Sequence, residues 1–196
     1  MYTTQPNLVL CLDEKTSLQP STRLRPTRPA RAQQPNQVEA EYERKGSLNL
    51  LAAFDTRTGQ VYVRTEPRKR QSEFIALLEQ IEAALDPAVK RIHIVLDNVP
   101  MHKGKLVQAW WQQHPRFECH FPPVHCSWMN QVEQWFSILQ RKRMSITDFE
   151  SIDELAQSLE AFVQQWNAKA HAFKWNSRSF DKGLAKCEEQ MTQAAA

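Results

Sequence analysis

Two short, largely apolar runs each stop at an aspartate. LVLCL at Leu8–Leu12 runs into Asp13, and IHIVL at 92–96 runs into Asp97. Unbroken apolar stretches of this length, bounded by polar residues, read as buried β-strands. In open α/β sheets, ligands collect at the carboxyl ends of strands. If the two strands are neighbours, two carboxylates stand side by side there.

The rest of the chain fills in around these strands. Residues 47–54 (SLNLLAAF) and 60–65 (QVYVRT) flank a Gly59-containing turn and predict a hairpin. In residues 72–86, Phe74, Leu77, Leu78, Ile81 and Leu85 follow a helical rhythm, with Pro87 beyond. A helix is expected over 103–114, a short strand over 117–121, and a break at Pro122-Pro123. Another helix is expected from Ser127 to about Arg143, with Val132, Trp135, Phe136 and Leu139 inward. Ser151 and Glu154 form a capping box before a last helix that buries Leu155, Leu159, Phe162, Val163 and Trp166. This order predicts an α/β fold: a mixed sheet of antiparallel hairpin strands plus parallel strands, flanked by helices. Residues 1–7 read as an N-terminal extension, 8–180 as one domain, and 181–196 as a C-terminal tail. Within the domain, about 19–37 reads as an extended loop, because it holds four prolines together with Arg23, Arg25, Arg28 and Arg31.

Composition excludes some classes of function. The 196 residues contain no apolar stretch near membrane-span length and no basic segment leading into a signal-like apolar run. No membrane partner is expected, and the cytoplasm is the expected location. The four cysteines, Cys11, Cys119, Cys126 and Cys187, form no Cys-x-x-Cys pair and imply a reducing compartment. A net charge of +3 is mild, so the distribution of charge matters more than its total.

Two adjacent carboxylates repel, and a divalent cation relieves that repulsion. Oxygen donors suit Mg²⁺ or Mn²⁺. Glu133 supplies a third acid from the first turns of the 127–143 helix. Roughly 3.6 residues make a helical turn, so Glu133 lies about 100° round from Val132, on the side of Ser137 and Gln140. The 35 residues between Asp97 and Glu133 accommodate one helix and one strand.

The residues around these acids resemble a known family. Leu96-Asp97-Asn98-x-x-x-His102 resembles the second catalytic motif of the Tc/mariner superfamily of DDE transposases. The segment from Pro123 to Phe136 (PVHCSWMNQVEQWF) resembles the third motif, in the form found in the bacterial 630-type insertion-sequence branch. Cys11-Leu-Asp13-Glu14-Lys15 resembles the first. The resemblance implies a ribonuclease H-like fold. It implies metal-dependent DNA strand cleavage and strand transfer, with Asp13, Asp97 and Glu133 as catalytic ligands of two ions about 3.5–4 Å apart. Asn98, His102 and Asn130 match motif positions that would support the site, while Glu14 should point away from Asp13 by strand alternation. The implied partner is double-stranded DNA, as transposon ends and target, with no small-molecule substrate. A homodimer and a bacterial, nucleoid-associated location follow by analogy. Full-length relatives carry helix-turn-helix segments ahead of the catalytic domain, but here Met1 lies 12 residues before Asp13. The expectation is therefore a core without its end-reading region: a remnant, one frame of a split gene, or an excised domain.

Arg23, Arg25, Arg28 and Arg31, then Arg64, Arg68, Lys69 and Arg70, then Arg141, Lys142 and Arg143 form three basic clusters suited to phosphate contact. Trp128, beside the third motif, is a candidate for DNA contact, whereas Trp135 and Trp166 read as core. Three other readings compete. Cys119-His120 with His125-Cys126 offers zinc-type ligands in an uncommon spacing. The chain could be a non-catalytic remnant that binds DNA or a full-length relative. It could also be a ribonuclease H-like nuclease that cuts without joining.

Overall fold

The structure is a computed structural model. It describes residues 8–23, 42–44, 46–122, 129–145 and 148–174, with backbone alone at 21–23 and 42–44. The expected 1–7 extension, the 181–196 tail and most of the basic loop lie outside the described residues.

Five strands form the main sheet in the order β5-β4-β1-β6-β7. They are β1 (Leu8–Leu18), β4 (Leu48–Asp55), β5 (Val61–Glu66), β6 (Ile92–Val95) and β7 (Phe117–His120). β1 pairs antiparallel with β4, and β4 with β5, while β1–β6 and β6–β7 are parallel. This is the mixed, ribonuclease H-like sheet expected from the sequence. Two short strands, β2 (Ser21–Arg23) and β3 (Tyr42–Arg44), pair separately. They correct the reading of 19–37 as loop throughout: residues 21–23 contain no proline and are free to pair.

Strand alternation divides the core. Leu8, Leu10 and Leu12 face the cluster built on α1 (Gln71–Ala84) and α2 (Lys105–Gln113). Val9 and Cys11 face the cluster built on α3 (Val132–Leu139) and α4 (Ile152–Asn167). Because both faces are covered, the LVLCL run is apolar without a break. Trp135 is fully buried, and Trp166 packs half-buried at the core's edge with its indole N–H on the Gly59 carbonyl at 2.8 Å. The hairpin turn is held by Asp55, whose carboxylate accepts from the Arg57 N–H at 2.8 Å and the Thr58 hydroxyl at 2.8 Å. Gly59 there has φ +78°, a region that favours glycine. Ser151 caps α4, accepting the Glu154 N–H at 3.1 Å, while the Glu154 carboxylate reaches back to the Glu150 N–H. No helix among the described residues is long and apolar enough to cross a membrane.

Two boundaries differ from expectation in a way that bears on function. β1 does not stop at Asp13 but continues to Leu18, paired with β4 through Asp13↔Ala52 and Lys15↔Leu50. β6 ends at Val95, so the two central strands part company at Asp13. The third-motif helix begins at Val132 and ends in a wider π-type turn, Gln140–Met144. Residues 123–128 lie outside the described part.

Candidate active site

The site lies in the fork between β1 and β6. The parallel register pairs Leu8 with Ile92 and Cys11 with Val95. Asp13 and Asp97 each lie two residues beyond the last of those pairs, Asp97 just past the end of β6. Asp13 belongs to the alternating set that includes Val9 and Cys11, so it faces the side covered by α3, and the charge of Asp97 acts on it there.

Glu133 reaches this place because α3 is tied to β1 just ahead of it. The Asn130 side-chain amide donates to the Leu12 carbonyl at 2.7 Å, inside the core. The Gln131 and Val132 backbone N–H groups reach the Cys11 sulfur. Val132 itself is fully buried in the same cluster. These ties fix the first turn of α3 beside residues 11–13, with Glu133 exposed in it. A groove beyond is lined by Lys15, Glu133, Phe136, Ser137, Gln140 and Arg141.

The electrostatics of the site follow from this convergence. Burial pushes the Asp13 carboxyl up, and the Glu14 N–H at 2.7 Å opposes this only in part. The negative charges of Glu133, Asp97 and Glu14 add to the rise, which carries the group to about 7. Asn130 also keeps a buried side-chain oxygen without a partner among the described residues. Three carboxylates with no nitrogen or sulfur donor among them form a set that fits a hard divalent cation such as Mg²⁺ or Mn²⁺.

Asp97 is held from the other side by His102. The His102 Nδ1 lies 3.1 Å from Asp97 Oδ1 and 3.2 Å from the Asp97 carbonyl, and Nε2 lies 2.8 Å from Glu14 Oε1. Every partner is an oxygen acceptor, so both ring nitrogens donate and the ring is an imidazolium. Burial opposes the charge, but the hydrogen bond and field of Glu14, with help from Asp97, hold the pKa above its ordinary value. The Val99 N–H also reaches Asp97 Oδ1, at 3.4 Å. Asn98 ties the same loop to the end of β7, donating to the Pro122 carbonyl at 3.3 Å and accepting from Lys103 at 2.8 Å.

The basic residues fall into different settings. Arg141 and Lys142 are exposed near the groove. Arg143 contacts Gln165 at 2.7 Å and lies over the Phe162 ring. Arg70 is paired with Glu73, Arg64 with Glu66, and Lys69 stands 3.5 Å from Glu14. Arg23 is placed by its backbone in β2. Arg25, Arg28, Arg31 and Trp128 lie outside the described residues, as do His125 and Cys126 of the zinc reading. Cys119 packs on the α1/α2 side of the sheet and burial pushes its thiol up to about 12. By alternation it turns away from His120.

Sequence reading missed two participants. Glu14 does turn away from Asp13, but it returns to the site through His102. Lys15 lines the groove beside Glu133. The signal for Lys15 was available, since it lies two residues along the strand from Asp13. The signal for Glu14 was not, because its partner arrives from a distant turn.

Residues 8–156 match the family model described as DDE superfamily endonuclease. A curated relative, the "Insertion element IS630 uncharacterized 39 kDa protein" of Shigella sonnei, is 32% identical over 90 residues, 46% of this chain and 26% of the relative. The chain thus spans about a quarter of that relative. Two solved structures share the fold. The Mos1 mariner paired end complex with Mn has a TM-score of 0.59 and 17% identity, over 93% of this chain and 53% of that one. A pre-cleavage Mos1 transpososome has a TM-score of 0.60 and 16% identity, over 94% and 54%.

Proposed function

The chain belongs to the DDE superfamily endonucleases, and on that premise we propose that it is the catalytic core of a transposase that cleaves DNA strands and joins them to a target. The observation that supports this most is that Asp97 and Glu133, from β6's end and α3, come close enough to Asp13 for their charges to add to the effect of burial on its carboxyl. Asp13, Asp97 and Glu133 would hold two Mg²⁺ or Mn²⁺ ions. When bound, those ions supply Lewis-acid stabilisation of the phosphodiester and an activated nucleophile.

The protein's own share is positioning. His102 fixes the Asp97 carboxylate through Oδ1. Asn130 fixes the first turn of α3 against β1 and so sets Glu133. Lys15 and Arg141 flank the groove, where their cations would meet the phosphate backbone. Arg23, Arg25, Arg28, Arg31, Lys69, Arg70, Lys142, Arg143 and Trp128 complete the proposed DNA surface. Paired ends would be served by a homodimer.

The test is Mg²⁺-dependent strand transfer from precut ends, with Asp97→Asn and Glu133→Gln beside the parent chain. The parent yields joined product and each variant falls by about 10²–10³-fold or more. Undiminished joining by either variant removes that residue from the site. Cut but unjoined product from the parent assigns a nuclease instead.

A further inference from the structure

A separate group of metal-ligating side chains sits at the sheet's β6–β7 edge. His93, Glu118 and His120 each offer one ligand atom, and those atoms all lie within 4.8 Å of one another. His93 and Glu118 are direct register partners across the two parallel strands, and His120 pairs with Val95 one pleat further on. The His93 Nδ1 faces the His120 Nε2 at 2.9 Å and lies 3.5 Å from Glu118 Oε2. Arg91 approaches the other carboxylate oxygen, Oε1, at 3.5 Å, and so leaves Oε2 for a ligand role. His93 is buried, at 8% exposure, and the polar side chains that meet its ring nitrogen there are the other two members of the group.

We propose that His93, Glu118 and His120 form a transition-metal site of the Zn²⁺ class, distinct from the three-carboxylate site. Two imidazoles and one carboxylate suit Zn²⁺ or Co²⁺, whereas oxygen-only sets suit Mg²⁺. Around a tetrahedral zinc, with bonds of roughly 2.0–2.1 Å, ligand atoms stand about 3.3 Å apart. Two of the three separations, 2.9 and 3.5 Å, lie on either side of that value, and all three are within 4.8 Å, so side-chain shifts that draw the ligand atoms together admit the ion. Three protein ligands leave one position for water.

The site is apart from the acidic one. His93 precedes Asp97 by four residues on the same strand direction, about 13 Å at strand rise. Its effect is mechanical. β7 is an edge strand whose sheet partner is β6. An ion bridging the two staples that edge, and with it the Pro122 carbonyl that receives Asn98 next to Asp97.

The test uses the full chain carrying Asp13→Asn, Asp97→Asn and Glu133→Gln, titrated with Co²⁺ and read by visible d–d absorption with Zn²⁺ as competitor. One equivalent of Co²⁺ binds, and Zn²⁺ displaces it. At a hundredfold excess over Kd, Zn²⁺ raises the melting temperature by roughly 5–10 °C. Adding His120→Gln or the half-exposed Glu118→Gln weakens Co²⁺ binding by about 100-fold or more. Circular dichroism checks that each variant is folded, and Glu118→Gln carries the test if His120→Gln is not. Failure of the triad-substituted chain to bind Co²⁺, or unchanged binding in folded Glu118→Gln, overturns the proposal.

Discussion

Asp13 and Glu14 are successive residues of one strand, yet the two sides of the sheet treat their charges in opposite ways. On the α3 side, the Asp13 carboxyl is driven up to about 7 by burial, with the charges of Glu133 and Asp97 adding to the rise. On the α1 side, the Glu14 side chain is 3% exposed but is met by the His102 imidazolium at 2.8 Å and Lys69 at 3.5 Å. Glu14 is a neutralised structural charge. Asp13 is a charge whose neutralisation the protein leaves to something else. His102 joins the two regions, because it grips Glu14 with one nitrogen and Asp97 with the other.

Asp13→Asn sharpens that contrast most. It should cost activity by about 10²–10³-fold or more, while raising the melting temperature of the metal-free protein, since a carboxyl that burial and repulsion both disfavour in its charged form is removed. The next largest effect is on the opposite face. His102→Ala strips Glu14 of its closest partner and should destabilise by about 3–5 kcal/mol, the usual result of orphaning a buried charge. Glu14→Gln in the same chain should restore part of that loss. Thermal melts of the two single variants moving in the same direction would break the comparison.

The contrast was half legible in the sequence. LVLCL and IHIVL identify buried strands, and the aspartates that follow them come near each other because the parallel register, which ends at Cys11 and Val95, leaves each two residues further on. Alternation alone turns Glu14 away from Asp13. The sequence did not disclose that β1 continues to Leu18, because EKTSL carries no apolar signal and is held in strand by pairing with β4. Nor did it disclose His102 as the partner of Glu14. That pairing spans 88 residues and depends on how the 3₁₀ turn at Pro100–Lys103 packs under Phe74. The same limit hid His93 and Glu118, while His120 enters the zinc reading with other partners. Each is a polar residue in a short apolar strand, but only the β6–β7 register brings them together.

A smaller effect lies in the pH dependence of the metal-free protein. The folded Asp13 carboxyl keeps its proton up to about 7, whereas the ordinary value is 3.8. Folding therefore takes up a proton in that window. The associated stability is present below about 4 and is lost as pH rises towards 7, by a few kcal/mol at the most, at about 1.4 kcal/mol per pKa unit. Melts in chelator across pH 4–8 should show this slope, and Asp13→Asn should flatten it. A parent profile as flat as the variant's would show that the Asp13 carboxyl is not held above its ordinary value.

The smallest effect separates two arginines that the sequence grouped alike. Arg70 gives its guanidinium to Glu73, with Nε at 2.9 Å, and that hydrogen bond holds the Glu73 carboxyl at about 2. The Glu73 contribution to stability is therefore present above the ordinary carboxylate range and fades as pH falls towards 2. An arginine already committed to a carboxylate has less charge to offer a phosphate. Arg141 is exposed, with its Nε on the Ser137 carbonyl at 3.4 Å, and it lines the groove beside Glu133. Arg141→Ala should lower the slope of log affinity against log salt for duplex DNA by about 0.9, one phosphate contact. Arg70→Ala should leave that slope where it was, and Glu73→Gln should steepen it by freeing Arg70. Equal slopes in the two arginine variants would mean that DNA draws Arg70 off Glu73, and the basic surface would then extend along the start of α1.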